Sequence, residues 1–171
     1  SFKYDVNNQT LYLKSEKPVV LPDYKQSGWT SEWRNKYGSQ LNDVKTIEIQ
    51  GEITQIGEFN FNNGRAGAYD NLETVKLSPS VTKIAASAFG EVATLKNINL
   101  NNVKEIGTAA FWKTGVENIT LDDAGTIIAD NAFSECTSLT SVTVKGIKSL
   151  GMNAFDGCTS LITFNCEGNI E

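Results

Sequence analysis

The sequence predicts an α/β fold, mainly β: a solenoid with one parallel sheet on one face, short helical turns on the other, and an N-terminal hairpin-plus-helix cap. Three observations lead there. Blocks beginning at Val44, Leu72, Leu95, Val116 and Leu139 run 28, 23, 21, 23 and 22 residues from one start to the next, with a partial block from Leu161. Every block opens on the same short apolar pattern, and in most an Ala-Phe pair returns at a fixed place. Self-similarity at this period is the mark of stacked repeats, each too small to bury its apolar face alone.

Residues 1–43 stand outside the period and read as the cap. Phe2, Tyr4 and Val6, then Asn7-Asn8-Gln9, then Leu11 and Leu13 predict a hairpin with alternating apolar positions. Prolines 18 and 22 bracket an extended link. Trp29, Trp33, Tyr37 and Leu41 fall four apart, on one face of a short helix. A stacked array needs its first coil covered, so the tryptophans read as capping core in preference to an aromatic cleft for sugar or peptide.

Residues 44–171 form the array. Val44-Ile47-Ile49, Leu72-Val75-Leu77, Leu95-Ile98-Leu100, Val116-Ile119-Leu121, Leu139-Val142-Val144 and Leu161-Phe164-Cys166 place apolar side chains at block positions 1, 4 and 6. Positions 4 and 6 flank a polar position 5, the period of a strand with one buried face. A turn follows, as in Ser78-Pro79-Ser80, Asn101-Asn102 and Lys145-Gly146. The chain then dips inward at Ile56, Ile84, Ile106, Ile128 and Leu150, and five residues later at Phe61, Phe89, Phe111, Phe133 and Phe155. Four of these rings follow Ala88, Ala110, Ala132 and Ala154 in stretches that suit one helical or 3₁₀ turn. Burying each ring is worth roughly 1.5–3 kcal/mol, provided that a neighbouring coil covers it. Ile170 falls at the position of Val81, and the chain stops at Glu171 before another Ala-Phe, which suggests a longer parent or a short natural tail.

The stretches "PSVTKIAASAFGEVATLKNINL" and "AFSECTSLTSVTVKGIKSLGMNAFDGCTSL" resemble the leucine-rich repeat typified by the bacterial surface antigen BspA, whose pattern runs roughly V-T-x-I-G-x-x-A-F-x-x-C-x-S-L-x-x-I-x-L. The resemblance spans Val44 to Glu171 and implies a right-handed solenoid from a secreted or cell-surface bacterial protein with an adhesion role. Departures are local. Val92 and Thr114 replace the usual Cys, Gly125 replaces the usual Val, and the first repeat carries the insertion "NNGRAGAYDN", a candidate protruding loop.

Composition narrows the chemistry. A net charge of −5 with scattered Lys and Arg leaves no footprint for nucleic acid, and the short apolar runs leave no membrane-inserting segment. The absence of His removes Ser-His-Asp and Cys-His catalysis and every His-ligated zinc site. No phosphate- or cofactor-binding motif is present, and no cofactor or metal is expected. Two-carboxylate glycan chemistry needs only Asp and Glu, so Glu105, Glu117, Asp122, Asp123 and Asp130 are its candidates; solvated surface is the favoured reading of them. Calcium at Asp122-Asp123 is disfavoured, because a site takes about six oxygens or more.

The surface available for recognition is the outward face of the strands. Thr74, Lys76, Asn97, Asn99, Asn118, Thr120, Ser141 and Thr143 are its candidate binding residues, for a protein or glycan partner on host or neighbouring cells, engaged by a monomer. Two alternatives are a structural spacer in a larger surface protein and, less favoured, a carboxylate-dependent glycan-acting enzyme. Trp112 stands where other repeats have Gly90, Ser134 and Asp156, which places it at the turn surface as an anchor or packed on a neighbouring coil. Cys136 and Cys158 share one repeat position; a disulfide between them is geometrically allowed, but parallel side chains favour free thiols. Cys166 aligns with Leu77 and Leu100, a core position.

Overall fold

A computed structural model describes residues 1–24, 32–66 and 68–168, the side chains of 65 and 66 excepted. Trp29 of the helix face and Ile170 of the sixth repeat lie outside the described residues.

The chain opens as the expected hairpin. Strand β1 (Phe2–Asp5) pairs antiparallel with β2 (Thr10–Val20), Phe2 opposite Leu13 and Asp5 opposite Thr10. Asp5 Oδ1 accepts from the Asn7 N–H at 3.0 Å and Asn8 Oδ1 from the Thr10 N–H at 3.1 Å, so short polar side chains close the turn on their own backbone. Tyr4, Leu11 and Leu13 are buried, whereas Val6 already belongs to the turn and is exposed. Beyond the hairpin β2 runs parallel to the first strand of the array, with register shifts between Ser15 and Val19 and again before Val20. Pro18, which has no N–H to give a ladder, sits inside this irregularity.

Helix α1 (Glu32–Tyr37) passes directly into a 3₁₀ turn (Gly38–Asp43), the change of helix type falling at Gly38 with φ 50°. Trp33 and Leu41 nevertheless stay on one buried side, with Tyr37 partly covered.

The array follows. Strand β3 (Thr46–Ile56) spans two faces, and the insertion after it carries one short helical turn, α2 (Asn63–Ala66). Later strands alternate between a front and a back face: β4 (Thr74–Lys76), β5 (Lys83–Ile84), β6 (Asn97–Ile98), β7 (Glu105–Ile106), β8 (Asn118–Leu121), β9 (Thr126–Ile128), β10 (Ser141–Val144), β11 (Ile147–Leu150) and β12 (Thr163–Cys166). On the front, Thr46 pairs with Thr74 and Thr74 with Asn97, while Asn118 pairs with Ser141 and Ser141 with Thr163. The parallel sheet is therefore the one that the block positions predict. The isoleucine column adds a second parallel ladder along the back, β3-β5-β7-β9-β11, in which Ile56, Ile84, Ile106 and Ile128 align. The front strands β4 and β6 share a sheet with the back ladder because β2 and β3 are long enough to run through both faces, whereas β8, β10 and β12 form a separate three-stranded sheet.

The Ala-Phe segments differ from the helical turns expected of them. Ser87, Phe89 and Glu91 donate their N–H groups to Thr108, Ala110 and Trp112 of the next coil. The intervening Ala88, Gly90 and Val92 close turns onto the carbonyls of Ala85, Ser87 and Phe89. The next coil repeats the scheme, with Ala109, Phe111 and Lys113 donating to Asp130, Ala132 and Ser134. A helix would aim every N–H along its own axis, so sending alternate ones to a neighbouring coil requires left-handed residues. Ser87, Glu91, Ala109, Lys113, Asn131, Glu135 and Asn153 all have φ between 52° and 64°. A side chain there costs about 1–2 kcal/mol, which the coil-to-coil bonds offset.

Between the two ladders the phenylalanines stack. Phe61, Phe89, Phe111, Phe133 and Phe155 have successive centroids 5.1–5.4 Å apart and ring planes within 19° of parallel. Trp33 extends the column at 6.2 Å from Phe61, so the cap continues the array's own packing. Gly107 belongs to the same economy of space: a Cβ on it would lie 2.7 Å from the Ala86 nitrogen of the preceding coil.

The insertion in the first repeat is docked, not protruding, over its described part. Ala68 and Tyr69 are buried, Tyr69 sits edge-on to Phe61, and its Oη accepts from Trp33 Nε1 at 3.1 Å. Arg34 lies over the Tyr69 ring and donates through Nη2 to the Asn60 carbonyl at 2.7 Å. A tyrosine within a glycine-rich stretch carried no periodic signal, so only the fold reveals it as a clasp between cap and first coil.

Two stability tests follow from this packing. Phe111→Ala removes a ring with neighbours on both sides and should cost roughly 3–5 kcal/mol in denaturant unfolding, with a broadened or two-step transition as the array uncouples. Ala109→Gly relieves a left-handed alanine and should raise stability by up to about 1 kcal/mol; a lower midpoint would show that the turn lattice does not strain that residue.

Candidate binding face

The front strands direct positions 4 and 6 inward, where Val75, Ile119, Leu121, Val142 and Val144 are buried, and positions 3 and 5 outward. Lys76, Asn97, Asn99, Asn118 and Thr120 are exposed, while Thr74, Ser141 and Thr143 are half-buried. All eight residues that the sequence singles out thus lie on one face. They fall into two groups.

In β8, β10 and β12 the ladder is regular and cross-strand bonds join the side chains. Ser141 Oγ donates to Asn118 Oδ1 at 2.6 Å, while Thr140 Oγ1 donates to the Glu117 carbonyl at 3.0 Å. Asn118 is exposed, with its carbonyl engaged by Ser141. Thr120 and Thr143 complete an uncharged polar surface.

Between β6 and β8 the front ladder is broken. β6 pairs with β4 only and β8 with β10 only, the one nearby backbone bond being Glu117 N–H to the Lys96 carbonyl at 3.4 Å. The back ladder passes this level uninterrupted through β7 and β9. On the other side of β6, toward β4, Asn99 Oδ1 accepts from the Leu77 N–H at 2.8 Å and its Nδ2 donates to the Leu77 carbonyl at 3.2 Å. A side-chain amide has taken the place of a backbone partner, the competition in which asparagine is favoured over β-branched residues. Ile98 is left half-buried, although its equivalents Ile47, Val75, Ile119 and Val142 are fully covered. The opening is a shallow depression of about 300 Å³ lined by Thr74, Val75, Lys76, Lys96, Asn97, Ile98, Asn99 and Asn118. Sequence reasoning found five of these residues but missed Lys96 and the gap itself; the available signal was that the third block alone holds Asn at both outward positions, Asn97 and Asn99.

The carboxylates are spread along the rod and tied to it. Glu105 pairs with Lys83 at 2.8 Å, Asp123 with Lys104 at 3.8 Å and Asp122 with Lys145 at 3.9 Å. Asp130 Oδ1 accepts from the Met152 N–H of the following coil at 2.7 Å, and Glu117 is exposed. No group of three or more Cys, Asp and Glu side chains able to hold a metal ion occurs among the described residues.

The cysteines serve packing. All three are free thiols. Cys136 Sγ donates to the Phe111 carbonyl at 3.0 Å and Cys158 Sγ to the Phe133 carbonyl at 3.1 Å, each bridging to the coil before it. Burial raises both thiols above their ordinary value; for Cys158 burial and the neighbouring Cys136 push it up to about 11. Cys166, expected in the core, is only half-buried, because its strand β12 lies at the end of the described array with no coil over it. Trp112 is half-buried beside the next coil, with Nε1 donating to Glu135 Oε1 at 3.3 Å and Lys113 Nζ 4.3 Å from its ring centre.

A family model described as the BspA type leucine rich repeat region matches in six copies over residues 35–100 and 65–171. Among solved structures, a leucine rich cell surface protein from Faecalibacterium prausnitzii is 22% identical over 72% of this chain, with a TM-score of 0.61. The chain spans 32% of that protein's length. A leucine-rich repeat protein from Bacteroides ovatus is 16% identical over 95% of this chain and 79% of its own, but its TM-score of 0.20 bears no argument. No curated protein matches the sequence.

The thiols provide a test. In the native protein at pH 7, a disulfide-exchange reagent should label Cys166 first, Cys158 slowly and Cys136 only on unfolding. Because the folded thiol of Cys158 titrates above its ordinary 9.0, its contribution to stability is present below that value and is lost as pH rises through about 11. A midpoint in Cys158→Ala that falls with pH as steeply as in the parent would contradict this.

Proposed function

The chain belongs to the BspA-type leucine-rich-repeat family, and from that premise we propose that it is a non-catalytic recognition module. It is displayed at a cell surface or secreted and binds a protein or glycan partner as a monomer through the front of its parallel sheet. One observation carries the reading: outward side chains of successive front strands stand in register at coil spacing and take no part in the core. Their hydroxyl and carboxamide groups suit hydrogen bonding to polypeptide or sugar, and the two long columns allow many weak contacts to add along the rod. The carboxylates support the non-catalytic part of the proposal, since several are engaged by lysines or by backbone N–H groups. The cell-surface label of the Faecalibacterium prausnitzii protein supports the location.

The test is an array of immobilised polypeptides and printed glycans probed with the purified chain. Saturable binding is expected, reduced at least tenfold by Thr120→Arg combined with Thr143→Arg on the front and unchanged by Lys148→Ala on the back. Equal binding by the front variant, or none by the parent chain, would defeat the proposal.

A further inference from the structure

We infer that the break between β6 and β8 is a subsite for the carboxylated sugar unit of an acidic glycan. The inference rests on the recognition reading above and names its ligand class.

Charge comes first. The chain is acidic overall, at −5, yet the residues lining the break include two lysines and no carboxylate. Lys76 has a single, long ion pair, to Glu48 at 3.8 Å, and Glu48 is itself held by Gln50 Nε2 at 2.7 Å. Lys96 is exposed and makes no ion pair among the described residues. The exposed Lys96 ammonium, with Lys76 on the adjoining strand and no carboxylate in the lining, favours an anionic ligand.

The remaining lining distinguishes a sugar from a bare anion. Asn97 and Asn118 offer exposed carboxamides, the Asn118 carbonyl accepting from Ser141 Oγ at 2.6 Å so that its NH₂ is left to donate. Thr74 adds a hydroxyl, and the half-buried Ile98 supplies an apolar floor. Donors and acceptors around an apolar patch match the ring hydroxyls and the C–H face of a pyranose, and the volume lies at the small end of ligand pockets. Asn99 lines the same depression, with its carboxamide engaged by the Leu77 backbone of the preceding coil.

The experiment titrates the purified chain with oligogalacturonate, its methyl ester and poly-glutamate at low and raised salt. Saturable binding of oligogalacturonate is expected, weakened by salt and lost on esterification, with poly-glutamate at least tenfold weaker. Lys76→Gln with Lys96→Gln should cost at least tenfold without moving the melting temperature. Unchanged circular dichroism shows that this variant is folded. Equal binding of the ester or of poly-glutamate would overturn the inference, as would full binding by the double lysine variant. If the chain captures polypeptides or neutral glycans through Thr120 and Thr143 but not oligogalacturonate, this inference fails and the broader reading stands. Binding to nothing defeats both.

Discussion

Each coil of this protein is too small to satisfy itself, and the bonds that it sends to its neighbour are what the rest of the structure depends on. In the Ala-Phe turns the N–H groups alternate, one closing a local turn and the next crossing to the following coil. That alternation places left-handed residues at fixed positions, sets the spacing along the rod and brings the phenylalanine rings into a parallel stack. The stack, once formed, returns the cost of those backbone conformations through burial of apolar surface.

The two ends of such a column differ. At the amino-terminal end Trp33 continues the ring stack while β2 of the hairpin pairs parallel with β3, so the first coil meets both kinds of partner that an interior coil has. Tyr69, buried between Trp33 and Phe61 with its hydroxyl accepting from the indole, ties this cover to the first repeat, and burial raises its phenol above the ordinary value. At the other end of the described array Ile162 is 87% and Phe164 40% exposed, and Phe155 meets Phe164 edge-on where the interior rings meet face to face. The same residue types are core in one place and surface in another because covering, not composition, decides burial here.

Much of this was legible in the sequence. Period, strand positions, ring column and the shared cysteine slot are all one-dimensional, so reading the blocks against one another places Phe111 over Phe133 and Thr74 beside Asn97 without coordinates. What was hidden depends on hydrogen-bond partners. The turns around Ala109 look helical by length, but their N–H groups leave for another coil. The pairing of the isoleucine column into a back ladder requires the turns to have a defined depth. Asn99 reads as one more polar strand residue, and its engagement with Leu77 is a choice between side chain and backbone that spacing does not encode. Lys96, at block position 2, belongs to neither outward column and joins the site only because the strands part there.

The interrupted front ladder also has a mechanical meaning. A rod stitched along its whole back but unstitched at one level in front does not bend equally in all directions. Load that opens the front at β6 and β8 meets little more than one long backbone bond there, while the back ladder holds and serves as the pivot. The array is therefore two stiff segments joined by a compliant joint, and its curvature, set elsewhere by uniform stacking, is adjustable at that one level.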